Sequence, residues 1–169
     1  PLGTGIITTA GKRQKAEYSH LTEASNSMMQ LNQTASEVLV SENVRCCTDV
    51  TGFGLLGHAS EITEKSGVGF KIYASALPFL PGARDYAGKG LFPGGAEKNR
   101  QAFQQTIRFS ETIREDIQRL LYTPETSGGL LAAIPSSKIE KILGTFEEKK
   151  VFYRIIGEVV ETSGIEVSQ

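Results

Sequence analysis

The sequence predicts a layered α+β fold in which helices cover a mixed sheet. Two observations carry this. Helical and strand-like segments alternate over most of the 169 residues, with no internal repeat and no linker-like run. The strand-like segment Cys46–Val50 contains Thr48 and Asp49. That is too polar for the central strand of a doubly wound parallel sheet, which normally reads as an apolar run. The length suits one domain with its own core, residues 1–169.

Taken in order, Gly3–Ala10 is rich in Ile and Thr and reads as a strand, closed by Gly11 and Lys12. Leu21, Ala24, Met28, Leu31, Ala35 and Val38 recur at helical spacing and predict one helix from about Tyr18 to Leu39. A strand over Val44–Asp49 follows, then the turn Thr51-Gly52-Phe53-Gly54. A second helix starts there, with Leu55, Ala59 and Ile62 on one face and Gly67 closing it. Val68–Ala74 alternates like a half-buried strand. Pro78–Asn99 holds three of the six prolines and reads as a long loop with a short helix near Leu80–Ala87. Thr106–Ser110 reads as a strand, Glu111–Leu121 as a helix and Leu130–Ile134 as an apolar strand. A helix beginning at Pro135–Ser137 buries Ile139, Ile142, Leu143 and Phe146. Tyr153–Val160 reads as a closing strand, and the residues after Thr162 as a frayed tail.

Composition narrows the function. Eighteen basic against 19 acidic residues leave a net charge of −1. That argues against a nucleic-acid binder working by phosphate neutralisation. No apolar run is long enough for a membrane span, so neither nucleic acid nor membrane is an expected partner. Cys46 and Cys47 are adjacent, so they can pair only with strain, and they lack zinc spacing. They read as half-buried thiols suited to a reducing cytoplasm. The chain starts at Pro1 and its only methionines are Met28 and Met29, which reads as a piece of a longer protein.

Gly52-Phe53-Gly54-Leu55-Leu56-Gly57 satisfies G-x-G-x-x-G between a strand and a helix. A dinucleotide fingerprint is argued against by the polar preceding strand and by Ile72-Tyr73-Ala74-Ser75, which lacks the acidic residue that would hold a ribose. The turn itself still favours anions, because free N–H groups at a helix start attract phosphate. Asp49 has two readings on spacing alone. It holds a hard cation such as Mg²⁺ between itself and a phosphate, or it accepts N–H groups of its own turn. His58 reads as a base, or as a histidine packing on the first turns of the helix; with no nucleophile identifiable nearby, the packing reading is preferred. Thr126-Ser127-Gly128-Gly129 is a second anion turn or a tight connection into the next strand.

Three segments in the same order resemble the selenophosphate synthetase (selenide, water dikinase) family. They are Leu2-Gly3-Thr4-Gly5-Ile6, the run Thr48-Asp49-Val50-Thr51-Gly52-Phe53-Gly54-Leu55-Leu56-Gly57-His58, and Thr126-Ser127-Gly128-Gly129-Leu130-Leu131. The long middle run also places the chain in the aminoimidazole ribonucleotide synthetase superfamily of ATP-dependent enzymes. The resemblance is to the C-terminal domain of a two-domain enzyme, a layered fold with partial ferredoxin-like likeness. It implies a reaction of ATP, selenide and water giving selenophosphate, AMP and phosphate in a Mg²⁺-dependent homodimer. It implies a metal-ligand role for Asp49; beside it, Thr51, Gly52 and Gly54 are the candidate nucleotide-phosphate residues, the Gly52–Gly54 turn presenting its N–H groups. The catalytic Cys or selenocysteine and the essential Lys would lie in the N-terminal domain, so no catalytic residue is expected here and the isolated chain would be inactive. Family members commonly carry Asp-Pro-Gln where this chain has Thr123, Pro124 and Glu125. Two other readings stand beside this one. The chain is the corresponding domain of another superfamily synthetase or kinase, or it is a non-catalytic dimerisation module.

Overall fold

A computed structural model describes residues 1–169, with eight α-helices and six strands. The first element is a helix, α1 (Thr4–Lys12), where a strand is expected from composition. The β-branched run Ile6–Thr9 favours a strand only if nothing else competes. Here the Thr8 hydroxyl donates to the Thr4 carbonyl (2.8 Å) and the Thr9 hydroxyl to the Gly5 carbonyl (2.7 Å), the back-bonding that admits threonine to helices. Ile6, Ile7 and Ala10 are fully buried on one face.

The single helix expected over 18–39 is broken into α2 (Tyr18–Met29) and α3 (Gln33–Ser41). Gln30 is extended at the break, and the Asn32 side chain donates to the Gly128 carbonyl (2.8 Å). Leu31, a member of the predicted stripe, is 78% exposed as a result. β1 (Cys46–Asp49) and α4 (Gly54–Ser66) follow as expected, and Gly67 ends α4 in the left-handed region at φ 66°. β2 (Gly69–Tyr73) comes next. Within the stretch expected to be mostly loop, the short helix expected near Leu80–Ala87 is present as α5 (Ala83–Gly88), and a further helix, α6 (Gly94–Phe103), takes the place of the loop. Tyr86, Leu91, Phe92 and Ala96 are buried, which ties the stretch to the core. β3 (Ile107–Phe109), α7 (Glu115–Leu121), β4 (Leu130–Ala133), α8 (Ser136–Glu148) and β5 (Gly157–Val160) complete the series up to the expected tail. β5 starts four residues later than the predicted Tyr153.

The expected frayed tail is a strand, β6 (Gly164–Ser168), and it lies inside the main sheet. The sheet order is β3-β6-β2-β5, with β6 parallel to both β3 and β2, and β5 antiparallel to β2. Register places Ile107, Ile165 and Phe70 on one rung and Phe109, Val167 and Ile72 on the next. These rungs meet Leu55, Leu56 and Ala59 of α4 in one cluster. The sheet therefore fixes α4, and with it the glycine turn at its start.

β1 and β4 form a separate antiparallel ribbon, with Asp49 opposite Leu130 and Cys46 opposite Ala133. An antiparallel ribbon accommodates the polar strand that a doubly wound parallel core would not. Val38, Leu39, Ile142 and Phe146 of α3 and α8 pack against Leu130, Ala132 and Ile134. A third cluster joins α1, α2, α5, α6 and α7 through Ile6, Ile7, Ala24, Tyr86, Ala96 and Leu120. No helix is long and apolar enough to cross a membrane.

Candidate functional site

The ribbon ends at Asp49, and the glycine turn begins two residues on. Backbone bonds bring the three motif-bearing segments together here. Val50 N–H donates to the Gly129 carbonyl (2.9 Å), and Glu125 N–H donates to the Thr51 carbonyl (2.9 Å). The Glu125 carboxylate accepts Gly3 N–H (2.8 Å), Thr4 N–H (2.8 Å) and the Thr4 hydroxyl (2.6 Å). Thr126 N–H donates back to the Thr4 hydroxyl (2.9 Å). Residues 3–4, 50–51 and 125–129 thus form one junction.

Glu125 caps α1 across the chain. It satisfies donors that a helix start leaves orphaned, at the end where a negative charge is favoured. Burial pushes its carboxyl above the ordinary glutamate value, against the opposing pull of the Thr4 and Gly3 donors. In the sequence, Glu125 stands out only as a departure from a family pattern. The signal that would have found it is the uncapped start of α1, invisible once that segment is read as a strand.

Close packing makes glycine necessary at the junction. A Cβ on Gly5 would lie 2.0 Å from the Pro124 carbonyl oxygen, and one on Gly128 would lie 2.1 Å from that of Val50. Gly54 adopts φ +70°, and its Cβ would meet the Tyr122–Thr123 backbone at 2.8–2.9 Å. Its N–H already donates to the Thr51 carbonyl (3.0 Å). Gly54 thus serves the packing of the turn against the Tyr122–Thr123 backbone. Gly54→Ala is expected to cost about 3 kcal/mol, from left-handed strain plus a backbone clash, measured as a lowered urea midpoint. Gly52 differs. It is exposed, and no atom lies within 4 Å of where its Cβ would be, so its outer side is open to a ligand. The Asn99 side chain, reaching over from α6, donates to both the Gly52 (3.0 Å) and Tyr122 (2.9 Å) carbonyls and so holds the turn.

Asp49 is exposed, and its carboxylate accepts no hydrogen bond within the chain. The alternative in which it caps its own turn is thereby set aside. No group of three His, Cys, Asp or Glu side chains is assembled to hold a metal. A hard cation would therefore find one free carboxylate here and need its other oxygens from phosphate, water or another polypeptide. Beside it, burial pushes the Cys47 thiol up, with smaller contributions from Cys46 and Asp49, which leaves Cys47 a poor nucleophile. Both cysteines are unpaired.

The structure also finds partners for His58. Its Nε2 lies 3.3 Å from the Thr51 hydroxyl and its Nδ1 lies 3.2 Å from the Glu61 carboxylate. The ring is buried against Phe53, with centroids 5.4 Å apart. Thr51 sits seven residues away in sequence, so only the turn into α4 brings it to the imidazole.

The fold and the sequence place the chain in a defined class. The sequence matches the family described as "AIR synthase related protein, C-terminal domain" over residues 1–168, and the chain belongs to that family. It is 40% identical over 162 residues to the selenide, water dikinase of Pelobacter propionicus and 39% identical over 163 residues to that of Campylobacter jejuni. Each alignment covers 95% of this chain but 47% and 46% of the relative. The chain thus spans about half the length of the curated relatives it matches. Among solved structures, the E. coli hydrogenase maturation protein HypE superposes with a TM-score of 0.66 at 19% identity, over 98% of this chain and 42% of HypE. Thiamine-monophosphate kinase of Stenotrophomonas maltophilia gives 0.65 at 12% identity, over 98% of this chain and 47% of the kinase. These two likenesses establish the fold, a mixed sheet with helices packed on it.

Proposed function

We propose that this chain is the C-terminal domain of a selenide, water dikinase, acting in a two-domain, homodimeric, cytoplasmic enzyme. ATP, selenide and water would give selenophosphate, AMP and phosphate. The observation that carries the reading is 35–40% identity over 95% of the chain to enzymes of that name. An unpartnered Asp49 beside an open Gly52 supports it locally.

Phosphoryl transfer is mainly positioning and charge neutralisation. Asp49 would hold one face of a Mg²⁺ ion, which when bound would offset phosphate charge. Gly52 lets the chain approach a phosphate closely, and Asn99 keeps that turn in one orientation. Glu125 locks the turn to the start of α1 through its own N–H and carboxylate. A lone exposed carboxylate binds Mg²⁺ weakly because the ion sheds water reluctantly. The isolated chain is therefore expected to form no AMP. Phosphorus NMR of ATP with selenide checks both parts: no turnover by residues 1–169, and selenide-dependent AMP from a protein of the relatives' full length. AMP formation by this chain alone, or ATP consumption by the longer protein without selenide, would contradict the reading.

A further inference from the structure

The Thr51–His58–Glu61 relay takes no part in helix capping or in holding the glycine turn. A carboxylate only accepts hydrogen bonds, so the contact between Glu61 Oε2 and His58 Nδ1 requires the proton on Nδ1. In the neutral ring, Nε2 is then an acceptor, and the Thr51 hydroxyl must donate to it. Its single hydrogen is thereby committed inward, and only lone pairs remain for anything docked at the turn. A hydroxyl in that state repels a phosphate oxygen and suits a cation or a cation-bound water.

We propose that His58 is a positioning residue that orients the Thr51 hydroxyl as an acceptor, assigning Thr51, two residues along the chain from Asp49, to the cation side of the site rather than to the phosphate side. The assignment rests on the nucleotide-site reading above and reverses the phosphate contact expected for Thr51 from sequence. Burial of His58 against Phe53, and its placement on α4 under the sheet, restrict the ring to this geometry. Glu61 is one turn further along the same helix, at the spacing where side chains meet.

The test uses the ¹⁵N-labelled chain at a pH of about 8, above the ordinary imidazole range. Long-range ¹H–¹⁵N spectra should show His58 as the Nδ1–H tautomer in the unaltered chain and in Thr51→Val. Glu61→Ala should move the proton to Nε2. Millimolar Mn²⁺ should broaden the Gly52 amide signal, and the concentration needed should rise about threefold or more in Thr51→Val but not in Thr51→Ser. An Nε2–H tautomer in the unaltered chain, or a tautomer indifferent to Glu61→Ala, overturns the relay. Equal Mn²⁺ response in Thr51→Val, or no response at Gly52 in the unaltered chain, overturns the cation assignment. None of these measurements involves selenide or AMP, so their failure is distinct from failure of the dikinase reading.

Discussion

Glu125→Ala is expected to destabilise the fold by about 3 kcal/mol, because it strands three buried donors at once. Gly3 N–H, Thr4 N–H and the Thr4 hydroxyl all lose their acceptor, with no solvent route to replace it. Urea unfolding followed by far-ultraviolet circular dichroism measures the loss. Glu125→Gln keeps one acceptor oxygen and should lie between alanine and glutamate. The same residue has a pH signature. Its folded carboxyl titrates above the unfolded value, so the native state holds the proton more tightly. Stability from this group is fully present below the unfolded value and is lost as pH rises through the folded one. The stability profile of Glu125→Gln should lack that fall. An alanine variant as stable as the unaltered chain would remove Glu125 from the framework.

The second large effect concerns chemistry rather than stability. In a protein of the relatives' full length, Asp49→Asn is expected to lower selenide-dependent AMP formation by about 100-fold or more, with the circular dichroism spectrum unchanged. The dissociation of the two readouts follows from the environment. The Asp49 carboxylate is exposed and accepts no hydrogen bond, and only the backbone takes part in the ribbon, so an amide of the same shape leaves it intact. It removes only the charge a cation would need. Near-normal turnover in Asp49→Asn would take this residue out of the nucleotide site.

What could be read from the sequence followed the strength of local signals. α4 and its Gly67 cap, β2 and α8 were legible because periodicity, turn chemistry and burial agree there. The Asp49–Gly54 region was legible because strand, polar residue and glycine turn fall within a few positions. α1 was not, since its Ile and Thr content points to a strand. Its helical state depends on a carboxylate 121 residues away in sequence. The break between α2 and α3 depends on Asn32 reaching Gly128, equally remote in sequence. β6 did carry a signal, because Ile165 and Val167 alternate with polar residues, but five residues near polar neighbours look like a tail. At the site, the gap was His58. Its hydroxyl partner lay within the same motif, but the pairing needed the turn's three-dimensional path to become visible.

The placement of β6 has a consequence for how the protein comes into being. β3 and β2 share no direct pairing, and each bonds to β6. During synthesis the chain elongates from its N-terminus, so β2 and β3 are both made before the neighbour that joins them. Until residues 164–168 emerge, α4 has no finished surface to settle on, and the glycine turn at its start has no fixed position. The sheet thus closes late, through contacts distant in sequence, and folding of this region should be slow compared with the helix pairs formed from adjacent segments. Nascent chains stalled before residue 164 would display the apolar rungs of Phe70 and Ile107 to whatever chaperone is at hand.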